Sequence, residues 1–142
     1  MTQHNLDLYR RWITAFNARD VEGLIAYCDP GIEYHSAMAA ADGAVYHGHD
    51  GMRAWHRDFE EVWGEEIRAE PEVYFDLGEQ ILVFALFHGR GRSSGVEVTM
   101  PLAQVSRWRD GRMVYAKGYA ADREEALRDL GVSQEELEPI AP

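Results

Sequence analysis

The sequence is poor in cysteine, in positive charge and in the glycine-rich signatures of phosphate chemistry. A single cysteine, Cys28, excludes an internal disulfide framework and leaves no Cys-x-x-Cys pair. Set among Leu24, Ile25 and Ile32, it reads as core filler and not as a reactive thiol. Only 14 Lys and Arg stand against 25 Asp and Glu, a formal net charge of −11. The acids gather from Asp58 to Glu79 and from Asp122 to Glu138, a field that repels phosphate backbones and anionic membranes. No nucleic-acid partner and no membrane partner is therefore expected. "MTQHNLDLYRRW" lacks the apolar core of a secretory signal, and with the lone cysteine it predicts a reducing, cytoplasmic setting. There is no Ser nucleophile elbow, and "GRGRSSG" links two strands without opening a helix, so it reads as a hairpin turn.

What is present is the composition of one soluble globular domain: 46% apolar and 27% charged residues in a chain of 142. A chain this long buries roughly two thirds of its unfolded surface. From Leu6 onward, Tyr9, Trp12, Ile13 and Phe16 recur at spacings of three and four, which predicts a first helix of about four turns. Asp20 is placed to cap a second, short helix carrying Val21, Leu24, Ile25 and Cys28. "GIEYHS" has strand alternation and is followed by a loop; Asp50 then stands as the cap of a third helix with the spacing of Met52, Trp55, Phe59, Val62 and Trp63.

Long strands are predicted over residues 67–76, 80–92, 96–108 and 112–120, joined by "LGEQ", "RSSG" and "RDGR". Asp122 can cap a last helix that stops at Gly131. The order α-α-β-α-β-β-β-β is an α+β plan: a curved antiparallel sheet packed on N-terminal helices, with a hollow between them suited to a ligand. Residues 1–131 read as a single domain and 132–142 as a solvated C-terminal tail.

The order of elements, with "AFNARDVEGLIAYCDPGIEYH", "YHGHDGMRAWHRDF" and "WRDGRMVYAKGYAADREEALRDLGV", resembles the SnoaL-like branch of the nuclear transport factor 2-like superfamily. The resemblance implies a cone-shaped, cystatin-like α+β barrel with a deep apolar pocket and a homodimer through the outer face of the sheet. It specifies fold more than function, because the superfamily holds polyketide cyclases, ketosteroid isomerases, dehydratases and proteins without assigned activity. The general base of the ketosteroid isomerases falls at His35. Their two oxyanion donors, a tyrosine and a protonated aspartate, fall at Trp12 and Ala103, which argues against steroid isomerisation by that mechanism. Ala116, Gly118 and Ala120 replace polar residues of many relatives, implying a roomier pocket.

Leu82, Phe84, Leu86, His88 and Arg90 form one face of a strand, which the resemblance places inward; with His35 pointing inward alongside Glu33, the two imidazoles would share the pocket. His35 then stands as general base, His88 as acid or oxyanion donor and Glu33 as the group orienting a ring, against the plainer reading of hydrogen-bonded wall residues. His47 and His49 flank Gly48 beside the helix start and read as loop or cap residues. A His-x-His metal site lacks a third ligand at a recognisable spacing, so neither metal nor cofactor is expected. Trp12, Phe16, Trp55, Phe59 and Phe84 are the candidate walls for a flat hydrophobic ligand, or plain core. Tyr115, Lys117 and Tyr119 face the outer surface, a candidate subunit contact.

Taken with the resemblance, these observations lead to the expectation of a SnoaL-like small-molecule enzyme performing cofactor-free cyclisation, isomerisation or dehydration on a hydrophobic carbonyl compound. The alternatives are a non-catalytic protein holding a hydrophobic metabolite, and an association module whose pocket is filled by its own side chains.

Overall fold

The computed structural model describes residues 2–36, 44–64 and 66–142; the loop expected after the first strand lies, at residues 37–43, outside the described residues. Helix α1 spans Thr2–Asn17 and α2 spans Val21–Ile25, and the Asp20 carboxylate accepts the Gly23 N–H at 2.9 Å as its sequence position predicts. Strand β1 (Cys28–Ser36) and the short β2 (Ala44–His47) follow, then α3 (Gly48–Trp63). Four long strands complete the sheet: β3 (Ile67–Asp76), β4 (Gln80–Arg90), β5 (Glu97–Arg109) and β6 (Arg112–Ala120). Helix α4 (Arg123–Leu130) begins at Asp122, whose side chain accepts the Glu125 N–H at 3.0 Å, and stops at Gly131 in the left-handed region.

The six strands form one curved, open sheet in the order β2-β1-β6-β5-β4-β3. The four long strands pair antiparallel as expected, and the sheet adds one parallel pairing that the sequence did not indicate: β1 runs along β6, with Tyr34 opposite Ala116 and His35 opposite Lys117. Sequence order pairs neighbours in the chain by hairpins, whereas this pairing closes over some eighty residues and leaves no local signature. A correction concerns the start of α3. The helix begins at Gly48, with His47 at the cap position and no side-chain cap, so Asp50 sits in the first turn, where its charge complements the helix dipole.

Both faces of the sheet are covered. Against the inner face lie α1, α2 and α3, with Leu6, Tyr9, Trp12, Leu24, Met52 and Trp55 in the main core. Against the outer face, α4 brings Ala126 and Leu127 onto Phe75, Leu82, Phe84, Ala103, Val105 and Tyr119, a second, smaller core. A strand covered on both sides carries apolar residues on both, and residues 81–87 of β4 are accordingly a nearly unbroken buried run.

The free edge of β3 is met by the chain itself. The Asn17 side-chain amide bonds both backbone groups of Ala69, each at 2.8 Å, and Ile140 exchanges backbone hydrogen bonds of 2.9 and 2.8 Å with Tyr74. The tail is thus exposed over most of its length and anchored at Ile140, where a wholly solvated end was expected.

The outer core makes Phe84→Ala a packing mutation: it is expected to cost about 3–5 kcal/mol in urea unfolding. A loss below about 1 kcal/mol, the range of an average substitution, would show that α4 does not seal a second core.

Candidate functional site

Between α1, α3 and the inner face of the sheet lies a cavity of about 60 Å³. The amphipathic spacing of α1 delivers Tyr9, Trp12 and Phe16 to it, α3 delivers Trp55 and Phe59, and β1 delivers Tyr34 and Ser36. The floor is Val83, Ala85 and Phe87 of β4 with Leu102, Gln104 and Gly118. Three rings lie within 27° of Trp12, at 8° for Phe16, 22° for Trp55 and 27° for Tyr34, with centroids 6.2–6.3 Å from it, while Tyr34 and Trp55 are tilted by 45° to each other. No Asp, Glu, Lys, Arg or His lines the cavity among the described residues.

Its polar content is the Ser36 hydroxyl and a chain of three buried side chains. The Tyr9 hydroxyl donates to Gln104 Oε1 at 2.5 Å, and Gln104 Nε2 donates to the Tyr34 hydroxyl at 2.9 Å. Burial pushes the Tyr9 and Tyr34 hydroxyls well above the usual tyrosine range, with the Gln104 bond offsetting part of the shift at Tyr34. Two further donors, the indole N–H groups of Trp12 and Trp55, are buried without a hydrogen-bond partner. Trp12 has the polarisable Cys28 sulfur as a weak electrostatic partner. Cys28 itself is sealed in the core; burial pushes its thiol up to about 12, which leaves it inert as the sequence context predicts.

The inward facing expected for the histidines is corrected. In β1, Ile32, Tyr34 and Ser36 are buried toward the core while Glu33 and His35 lie half-buried on the outer face, because burying the apolar pair costs less than burying an ionisable one. His35 Nε2 bonds the Glu33 carboxylate, and its ring lies 5.3 Å from that of Tyr115. In β4 the inward set is Val83, Ala85 and Phe87, not Leu82, Phe84, Leu86, His88 and Arg90. His88 sits on the outer face with Nε2 2.8 Å from Glu70 and Nδ1 3.3 Å from the Thr99 hydroxyl. The two imidazoles share that face three strands and six residues apart, about 25 Å on ordinary sheet spacings.

Of the five proposed wall residues, Trp12, Phe16, Trp55 and Phe59 line the cavity, whereas Phe84 belongs to the outer core. The same one-residue shift applies to β5: Ala103 packs outward and Gln104 faces the cavity. The roomier pocket implied by Ala116, Gly118 and Ala120 is not found, since aromatic side chains from the helices occupy the space. Gln104 and Tyr34 were not singled out from the sequence; the signal for Gln104 is a lone amide within the apolar run "LAQV".

The remaining histidines have structural partners or lie in solvent. His49 Nε2 bonds the Cys28 carbonyl at 2.8 Å, His47 and His4 are exposed, and His56 is buried against Glu60 at 3.2 Å, with burial lowering its pKa. No cluster of three or more metal-ligating side chains occurs among the described residues.

Residues 9–116 match the SnoaL-like domain family. The chain belongs to it. The fold is shared with a nuclear transport factor 2-like protein from Burkholderia pseudomallei K96243, 26% identical, with a TM-score of 0.76 over 88% of this chain and 95% of that one. TerC, crystallised with polyporic acid, is 20% identical, with a TM-score of 0.75 over 89% and 97% of the two chains. A protein with a ketosteroid isomerase-like fold from Catenulispora acidiphila DSM 44928, in complex with trimethylamine, is 15% identical, with a TM-score of 0.71 over 90% and 95%. No curated protein matches the sequence.

The buried tyrosines of this SnoaL-like domain fix the sign of its alkaline response. Their ionisation lies above the ordinary value of 10.0, so their contribution is complete below pH 10. It is lost as pH rises past that point, where the unfolded chain releases protons that the fold retains. Urea unfolding midpoints are expected to fall above pH 10, with a shallower fall in Tyr34→Phe; identical slopes in the two proteins would remove Tyr34 from the account.

Proposed function

We propose that this SnoaL-like protein binds a small, flat, uncharged hydrophobic compound between α1, α3 and the inner sheet face. The observation that carries the reading is a buried, aromatic cavity with no charged side chain in its described wall. Nearly parallel rings accept a planar molecule better than a globular one, since aromatic pairs favour offset stacking. An ion entering such a wall would lose its hydration without a counter-charge. Two neighbours of the same fold were crystallised with small molecules, which supports small-molecule binding by this fold.

Binding is preferred over acid/base turnover because a general base must reach the proton it removes. The imidazoles proposed for cyclisation, isomerisation or dehydration, His35 and His88, lie on the outer face with Glu33. The ionisable groups in the cavity wall, among the described residues, are Tyr9 and Tyr34, both held protonated by burial.

A second reading is favoured by one quantity. At about 60 Å³ the cavity is well below the roughly 300 Å³ at which ligand pockets begin, as an association module with a self-filled interior would have it. Flat aromatic ketones of increasing size, acetophenone, 1-indanone and fluorenone, separate the two readings. Saturable quenching of tryptophan fluorescence, with a matching rise in Tm, is expected for at least one of them. No saturable response to any, and no compound retained in native mass spectra, would favour the self-filled module. His35→Ala and His88→Ala are expected to leave the Kd within about twofold, the scale of an ordinary surface substitution.

A further inference from the structure

The cavity wall holds donors that have no acceptor among the described residues. Gln104 Oε1 is taken by Tyr9, and Gln104 Nε2 gives its hydrogen to the Tyr34 oxygen, which leaves the Tyr34 O–H without an acceptor among the described residues. Beside it stands Trp55, its ring centroid 4.7 Å from that of Tyr34, 2% exposed and with an indole N–H that has no partner. An indole N–H can only donate, and a tyrosine already accepting from Gln104 is set to donate. Each buried donor left unmade costs about 1–3 kcal/mol, so a group satisfying both is favoured over one satisfying neither.

We propose that the Tyr34 hydroxyl and the Trp55 indole N–H form a two-donor clamp for a neutral oxygen acceptor of the ligand, a ketone, quinone or lactone carbonyl. Gln104 is the positioning residue that aims the Tyr34 proton. The clamp rests on the pocket reading above and narrows it from hydrophobic compounds in general to those carrying such an oxygen. Burial supports the assignment, because it keeps Tyr34 protonated far into the alkaline range. The described wall offers no cation to balance a carboxylate or phosphate, so a neutral carbonyl is selected over an anion.

The test compares 1-indanone with indane, the same flat frame with and without the oxygen. Titrations of wild-type protein, Trp55→Phe, Tyr34→Phe and Gln104→Leu are followed by tryptophan fluorescence and by Tm. Wild-type protein is expected to prefer indanone by about tenfold or more, as a site that hydrogen-bonds a ligand rejects the analogue lacking the bond. The preference should fall toward one in Trp55→Phe and Tyr34→Phe. Gln104→Leu should lower the preference with Tyr34 still in place. The ratio is read within each variant, so partial destabilisation does not mimic the result, and Trp55→Phe breaks no hydrogen bond of the fold. Equal affinity for the two compounds in wild-type protein, or a preference unchanged in both aromatic variants, overturns the clamp and keeps the pocket. Failure of wild-type protein to bind either compound overturns the clamp, and overturns the pocket as well if acetophenone and fluorenone also fail to bind.

Discussion

The aromatic block between α1 and α3 is the constraint on which the rest of the structure depends. Trp12 stacks within 6.3 Å of Phe16, Tyr34 and Trp55, and Phe59 carries the contact on to Phe87 in the sheet. Burying one such side chain removes 150–250 Å² from water, about 4–6 kcal/mol at the usual area coefficient and an upper bound. The block therefore fixes the angle at which the helices meet the curved sheet. It also consumes the hollow that the curvature would otherwise leave. Stability and ligand space draw on the same side chains here, and a ring-sized guest enters only if those rings move apart.

The outer face carries a second division of labour. Helix α4 covers Phe84, Ala103, Val105 and Tyr119, while Glu33, His35, Arg107 and Tyr115 remain on the half-buried part, with Arg107 stacked 4.9 Å from the Tyr115 ring. The ionisable residues of the sheet thus collect where water can reach them, and the inner face is left with hydroxyls, one amide and indoles. That sorting follows from desolvation cost alone. It explains why side chains suited to proton transfer and side chains suited to holding an apolar molecule lie on opposite sides of one sheet.

Legibility in the sequence followed the strength of the local signal. Helix α1 was readable from Leu6, Tyr9, Trp12 and Phe16 because a 3.6-residue period over four turns has no strand equivalent. Asp20, Asp122 and Gly131 were readable because a cap is a two- or three-residue event. Strand facing was not readable. In β4 both alternating sets are apolar, so period two carries no phase, and a shift of one residue exchanged Ala103 for Gln104 and His35 for Ser36 as cavity groups. Strand β2 is four residues long, too short for alternation to register, and the parallel pairing of β1 with β6 is a tertiary event. The cavity volume depends on how seven aromatic rings interlock, which no linear pattern encodes.

The treatment of β3 has its own consequence. An edge strand presents a row of unpaired amides and carbonyls to any other chain that arrives extended. Here Asn17 occupies the ladder at Ala69, Pro71 removes a donor from the strand, and Ile140 occupies the ladder at Tyr74. An incoming strand would have to displace two sets of intramolecular bonds before forming any of its own. The longest open border of the sheet is in this way closed to templated growth by groups contributed from both ends of the same polypeptide.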